Sequence, residues 1–247
     1  MTVWSELTRD RDNRPLHATL IDPASTPGEE ARPIAEAAAD AGSDLFLLGG
    51  STDVSKSDVQ ECVEAIEEVA EVPVFLFPSG SDQFAPGLDG LLFTLTVNST
   101  RPELIVEEPA KGATPVRKSG LEAVTTAYVI VEPGMTVGEV AEANLVTRDI
   151  EGCQRAARYA SLADVLGLDA IYLEAGSGAP DPVPEDMIEA AAEPDVPMIV
   201  GGGIRSPEAA AEAARAGADL IVTGTLAEDG DLEELEALIE RLGKVQG

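Results

Sequence analysis

Ile171-Tyr172-Leu173-Glu174-Ala175-Gly176-Ser177-Gly178, then Pro197-Met198-Ile199-Val200-Gly201-Gly202-Gly203-Ile204-Arg205-Ser206-Pro207, then Leu220-Ile221-Val222-Thr223-Gly224-Thr225 write one pattern three times. Each is a short apolar run that opens into small residues. Glycines just past a buried strand let the backbone approach a ligand closely, with N–H groups free to point at it. Ser206 reads as an N-cap and Pro207 as the first residue of a helix whose positive end faces the same spot. A phosphate is the natural occupant. In a barrel of alternating strands and helices, the loops after strands 7 and 8 are the usual phosphate site. The stretch therefore predicts an α/β chain forming a single (β/α)8 TIM barrel, with a phosphate site at the C-terminal ends of strands 6–8.

The rest of the chain fits that frame. Its 247 residues are close to the roughly 250 of one such barrel. No low-complexity linker interrupts it, so residues 1–247 are expected to form one domain. Aromatic residues are 4% of the chain, which leaves the core to Val, Ile, Leu and Ala. Cys62 and Cys153 stand in no metal or redox spacing, and two cysteines are too few for a disulfide framework. No export leader and no run of 18 apolar residues is read, which leads to the expectation of a cytoplasmic protein without a membrane span.

Charge is the unusual feature. Forty-six acids face sixteen bases, a formal net charge of −30, and only four of the bases are lysines. Self-repulsion on that scale weakens a compact state, whereas in molar salt the Debye length falls to about 3 Å. The expectation is a halophilic cytosolic protein. A basic face for nucleic acid is excluded.

In chain order, strand patterns fall at residues 16–21, 45–48, 73–77, 90–95, 126–131 and 170–173, before the two runs already quoted. They are apolar throughout, as parallel strands buried on both faces are. Helical patterns fall at 29–40, 57–70, 150–167, 185–192, 206–216 and 232–242, with Ala41-Gly42 as a C-cap. Residues 101–122 read as a helix and a loop of unresolved boundary. Residues 79–87 are too short and rich in Gly and Pro for a full helix, which leaves that side of the barrel lightly covered.

Several side chains stand where chemistry would need them. Glu174 ends a buried strand beside a glycine loop, poised over the barrel mouth; the plainer reading is one surface acid among forty-six. Asp22 ends the first strand in the same layer, and Ser51 follows the Gly49-Gly50 pair after the second. A carboxylate and a hydroxyl converging there suit Mg2+, which keeps waters and takes other oxygens from substrate phosphates. Asp22 before Pro23 also suits an Asx turn, and Ser51 also suits a cap. His17, the one histidine, reads as a hydrogen-bonded packing residue rather than a ligand. Arg205 is placed either to touch phosphate or to start a helix in solvent.

At this point the residues become recognisable. Tyr172 through Gly178, Val200-Gly201-Gly202-Gly203-Ile204-Arg205 and Gly224-Thr225 resemble the geranylgeranylglyceryl phosphate synthase family, whose bacterial relatives make heptaprenylglyceryl phosphate. His17-Ala18-Thr19-Leu20-Ile21-Asp22-Pro23 and Leu48-Gly49-Gly50-Ser51 match its other landmarks, so the resemblance spans most of the chain. The departures are Ala24-Ser25 after the Asp-Pro, Glu132-Pro133 where the family has Asn-Pro, and Thr225 where it has Asn.

The resemblance implies a prenyltransferase of archaeal ether-lipid biosynthesis. It implies transfer of a geranylgeranyl group from geranylgeranyl diphosphate to the C3 hydroxyl of sn-glycerol 1-phosphate, with Mg2+. By position, Asp22 and Ser51 match the metal residues. Tyr172, Leu173, Glu174, Ala175, Gly176, Ser177, Gly178, Gly202, Gly203, Gly224 and Thr225 match the glycerol phosphate site. Glu174 matches the acid that orients or deprotonates the attacking hydroxyl. A homo-oligomer touching the membrane at most peripherally is expected. The rival readings are another phosphate-binding barrel, such as a sugar-phosphate isomerase or epimerase, which needs a second acid or base opposite Glu174 and no prenyl groove, and a non-catalytic binder of a phosphate ligand.

Overall fold

Eight strands, each paired in parallel with the next, close on themselves when the last pairs with the first. They are β1 (Leu16–Ile21), β2 (Leu45–Gly49), β3 (Val74–Phe77), β4 (Gly90–Thr96), β5 (Glu122–Ile130), β6 (Ala170–Glu174), β7 (Met198–Gly201) and β8 (Leu220–Thr223). The computed structural model describes residues 2–10, 14–50, 54–80 and 83–245. The expected barrel is present. Among the described residues, no helix is long and apolar enough to cross a membrane.

Strand alternation sorts the core into two layers. Leu16, Ala18, Leu45, Leu47, Phe75, Tyr128, Tyr172, Ile199, Leu220 and Val222 fill the barrel interior. Their sequence neighbours, such as Ile21, Leu48, Leu173 and Ile221, face out and pack under the helices. The helices are α1 (Val3–Leu7), α2 (Gly28–Ala41), α3 (Lys56–Glu67), α4 (Glu108–Ser119), α5 (Met135–Val140), α6 (Ile150–Leu166), α7 (Glu185–Ala191), α8 (Pro207–Arg215), α9 (Thr225–Glu228) and α10 (Leu232–Leu242).

Local chemistry explains where they start and stop. Ser55 and Asp58 form a capping box on α3, Asp149 caps α6 through the Gly152 N–H, and Ser206 caps α8 through the Ala209 N–H. Gly42 and Gly167 end α2 and α6 in the left-handed conformation. Trp4, on α1, belongs to the interior cluster, with its N–H groups donating to the Glu122 carboxylate and the Asp169 carbonyl.

The structure corrects some boundaries. β5 starts at Glu122 rather than Thr126, because Glu122-Ala123-Val124-Thr125 pair with Gly90–Phe93 although their mixed polarity hides a strand. The unresolved 101–122 segment is a π-helical turn (Glu103–Glu107) running into α4. Three short helices, α1, α5 and α9, carried too few residues to show a period. Among the described residues no helix lies between β3 and β4, as expected for 79–87.

His17 packs as expected, in the layer beneath the helices. Its Nδ1 lies 3.0 Å from Ser43 Oγ and its Nε2 2.9 Å from Thr223 Oγ1. Burial lowers its pKa to about 3, opposed by the charge of Asp44. The folded protein therefore refuses a proton that the unfolded chain accepts below about pH 6.5, so stability is lost as pH falls through that value. Denaturant melts from pH 6.5 to 4.5 are expected to show a slope shallower in His17→Gln by about 1.4 kcal/mol per pH unit. Parallel slopes would contradict this assignment.

Candidate active site

Glu174 is the last residue of β6 and faces the interior, only 7% exposed. Among the described residues it is the only buried carboxylate. Its Oε1 accepts the Gly176 N–H at 2.6 Å, and the Tyr172 phenol donates to it from one layer below. Desolvation raises the Glu174 pKa from its ordinary value, with those two hydrogen bonds opposing. A buried acid with a raised pKa, at the C-terminal end of a barrel strand, is suited to accept a proton.

An aromatic cluster supports it. Phe77 stacks on Tyr172 with centroids 5.8 Å apart, and Tyr128 meets Tyr172 edge-on at 5.2 Å. Burial and the Glu174 charge both push the Tyr128 phenol pKa up. Tyr128 escaped the sequence reading. The signal was there in the two-residue period of β5, which turns Thr126, Tyr128 and Ile130 the same way.

The glycine loops meet around this acid. Gly202 has φ +82°, and a Cβ on it would stand 2.5 Å from Glu174 Oε1 and 2.6 Å from the Gly176 nitrogen. Only glycine allows β6 and β7 loops to approach that closely. Gly203 is pressed against the Asp181 carbonyl in the same way, at 2.5 Å. Next to β7, β8 ends at Thr223, and Gly224 precedes Thr225, the first residue of α9. Two loops and a short extra helix after strands 7 and 8 are the usual barrel arrangement for a phosphate.

The expected residues divide by orientation. Gly176, Gly178, Gly202, Gly203, Gly224 and Thr225 are brought to the mouth, and Ser177 is exposed there. Tyr172 lies in the interior beneath Glu174, while Leu173 and Ala175 point outward into the helix layer, so only their backbone faces the site. Arg205 is exposed just before the α8 cap.

Asp22 follows β1. Its Oδ1 accepts the Ala24 N–H at 3.0 Å, the Asx turn that its sequence allowed. Its Oδ2 is 3.7 Å from the Cβ position of Gly50 (φ +121°), which places the carboxylate beside the end of β2. Ser51 lies outside the described residues. The Asp22 charge also helps raise the Glu228 pKa, after desolvation. Among the described residues, no group of three or more His, Cys, Asp and Glu could hold a metal ion. One carboxylate oxygen left beside a loop is a hard, sparse donor set. It fits Mg2+, which takes few protein ligands, and not a closed zinc site.

A groove of about 220 Å³ lies between Pro78-Ser79-Gly80 and α4; Phe84, Leu91, Phe93, Leu104 and Val116 give it apolar walls, with Thr94, Thr96 and Glu108 beside them. It occupies the side of the barrel where, among the described residues, no helix lies between β3 and β4.

Fold and site together define a (β/α)8 barrel with a buried acid beside a glycine-lined cradle and a largely apolar groove. More particularly, the chain belongs to the PcrB family, whose sequence profile matches residues 6–242. It is 41% identical over 248 residues to a geranylgeranylglyceryl phosphate synthase of Thermoplasma acidophilum, covering 99% of this chain and 97% of that one. It is 46% identical over 232 residues to the enzyme of that name from Methanopyrus kandleri, covering 92% and 96%. The crystal structure of the Thermoplasma acidophilum (S)-3-O-geranylgeranylglyceryl phosphate synthase, in complex with its substrate sn-glycerol-1-phosphate, superposes with a TM-score of 0.93 at 40% identity, covering 99% of this chain and 100% of that one.

Proposed function

We propose that the protein is a prenyltransferase that moves a geranylgeranyl group from geranylgeranyl diphosphate to the C3 hydroxyl of sn-glycerol 1-phosphate, releasing diphosphate. The observation that carries this reading is the buried Glu174 at the lip of the glycine cradle, in a chain so similar along its whole length to a synthase that binds glycerol phosphate. A single buried acid among the described residues also favours it over an isomerase, which needs two proton-transfer groups.

The geometry supports the following division of labour. The phosphate of the acceptor sits against backbone N–H groups of the Gly202-Gly203 and Gly224-Thr225 loops, which hold an anion without a lysine. Glu174 accepts a hydrogen bond from the C3 hydroxyl and takes its proton as that oxygen bonds to C1 of the prenyl chain. The allylic C–O bond breaks, and its electron pair leaves with the diphosphate. The groove between Pro78-Ser79-Gly80 and α4 takes the apolar tail out of water. Asp22 and Ser51 would hold Mg2+, which when bound supplies positive charge to the departing diphosphate. Holding the hydroxyl in line with C1 lowers the barrier alongside the proton transfer.

The charge of −30 supports a working environment of high salt, where repulsion is screened. Phosphorus NMR of the protein in molar KCl with Mg2+ tests the whole reading. Inorganic diphosphate is expected to appear only when geranylgeranyl diphosphate and sn-glycerol 1-phosphate are both present. Release that ignores glycerol phosphate would mean hydrolysis and would overturn it.

A further inference from the structure

Arg148 lies on the outer rim of the site, among none of the residues assigned to substrate. Its Nη1 donates to the Glu132 carbonyl at 3.1 Å and to the Asp181 carbonyl at 3.5 Å, while its Nη2 donates to the Pro182 carbonyl at 2.6 Å. One guanidinium thereby ties the loop after β5 to the loop after β6. Both loops press on the cradle. The Gly134 N–H donates to the Ala175 carbonyl at 3.1 Å, and the Gly134 carbonyl lies 2.8 Å from where a Gly176 Cβ would be. On the other side, Gly203 rests directly against Asp181 and Pro182.

The arginine itself is held on a fixed mount. Two residues before it, Val146 bridges Val131, with the Glu132 N–H donating to the Val146 carbonyl at 2.9 Å. One residue after it, Asp149 caps α6 at 2.9 Å from the Gly152 nitrogen. Gly152 packs so tightly under the Thr147 carbonyl that a Cβ would overlap it, at 1.6 Å. The backbone is thus anchored on either side of position 148, and the long side chain reaches from that anchor across two loops.

We propose that Arg148 is a positioning residue for the acceptor: it sets the spacing between the Glu174–Gly176 turn and the Gly202-Gly203 turn, and so the fit of glycerol phosphate. This rests on the prenyltransferase reading for the identity of the ligand, and on the contacts alone for the clamp. An arginine is required because its planar fork serves carbonyls in two loops at once. A lysine offers a single, strongly hydrated nitrogen on a flexible stem, without the fixed fork that reaches Glu132, Asp181 and Pro182 together. The contacts are to neutral carbonyls at hydrogen-bonding range, so screening by salt weakens them less than it would a surface ion pair.

Three proteins test the clamp: wild type, Arg148→Ala and Arg148→Lys, assayed in molar KCl. For Arg148→Ala the KM for sn-glycerol 1-phosphate is expected to rise about tenfold, the value of roughly one strong hydrogen bond. Its kcat should stay within about threefold, and the KM for geranylgeranyl diphosphate should not move. Arg148→Lys should fall between wild type and Arg148→Ala. Amide hydrogen exchange should speed up in residues 130–134 and 179–183, with the melting temperature kept. Unchanged exchange in those segments together with an unchanged acceptor KM would overturn the clamp, as would a loss spread equally over both substrates and the melting temperature. If wild type makes no ether product, the prenyltransferase reading fails while the exchange data still decide whether the clamp exists.

Discussion

Glu174→Gln is expected to slow prenyl transfer by 10²–10⁴-fold, the usual contribution of a general base, while binding of the prenyl diphosphate barely changes. Glutamine keeps the size of the side chain and an oxygen to accept the Gly176 N–H, so the turn that carries the cradle is preserved. What disappears is basicity. In wild type the raised pKa predicts that single-turnover rate falls as pH drops through it, because the carboxyl becomes protonated. The variant should lack that limb. Stability moves the opposite way. A carboxyl whose folded pKa is raised favours the fold when protonated, and that contribution is lost as pH rises through the folded value. Glu174→Gln removes a buried charge at neutral pH, so its melting temperature should equal or exceed that of wild type. Collapse of diphosphate binding together with rate would show instead that Glu174 acts on the donor.

Asp22→Ala is the second large effect. Its carboxylate is the one acid at the end of β1, and it lies beside Gly50 at the end of β2. If it holds Mg2+, the variant loses the positive charge that the leaving diphosphate needs, which is worth several kcal/mol. Turnover should drop below about a tenth of wild type even at saturating Mg2+. Affinity for sn-glycerol 1-phosphate should survive, because the cradle is built from β6, β7 and β8. The Asx turn is the competing explanation, since Asp22 also orders Ala24. Asp22→Asn separates the two, because the amide oxygen can still accept the Ala24 N–H but carries no charge. Activity retained in Asp22→Asn would make Asp22 a turn residue and remove it from the metal site.

Much of this arrangement was legible in the chain. Parallel strands buried on both faces read as continuous apolar runs, so β1, β2, β6, β7 and β8 stood out, and the glycine endings of the last three pointed to the cradle. Glu174 was visible as an acid closing such a run. The first half of β5 was not, because Glu122 and Thr125 interrupt its apolar character. α5 hid for a different reason: Thr136, Val137 and Val140 are poor helix formers, and the helix is held by Gly134 and by its place over the barrel mouth. The outward turn of Leu173 and Ala175 follows from strand period, which a motif matched as a block ignores. Arg148 left no signature, since its partners are backbone carbonyls that any residue supplies.

The most direct test of the central claim is the identity of the product. The protein is incubated in molar KCl with Mg2+, labelled geranylgeranyl diphosphate and sn-glycerol 1-phosphate, and the extract is analysed by mass spectrometry. The account predicts the ether 3-O-geranylgeranyl-sn-glycerol 1-phosphate, formed at wild-type Glu174 and lost in step with Glu174→Gln. Recovery of free geranylgeraniol, or of untouched prenyl diphosphate beside an isomerised phosphate ester, would contradict it.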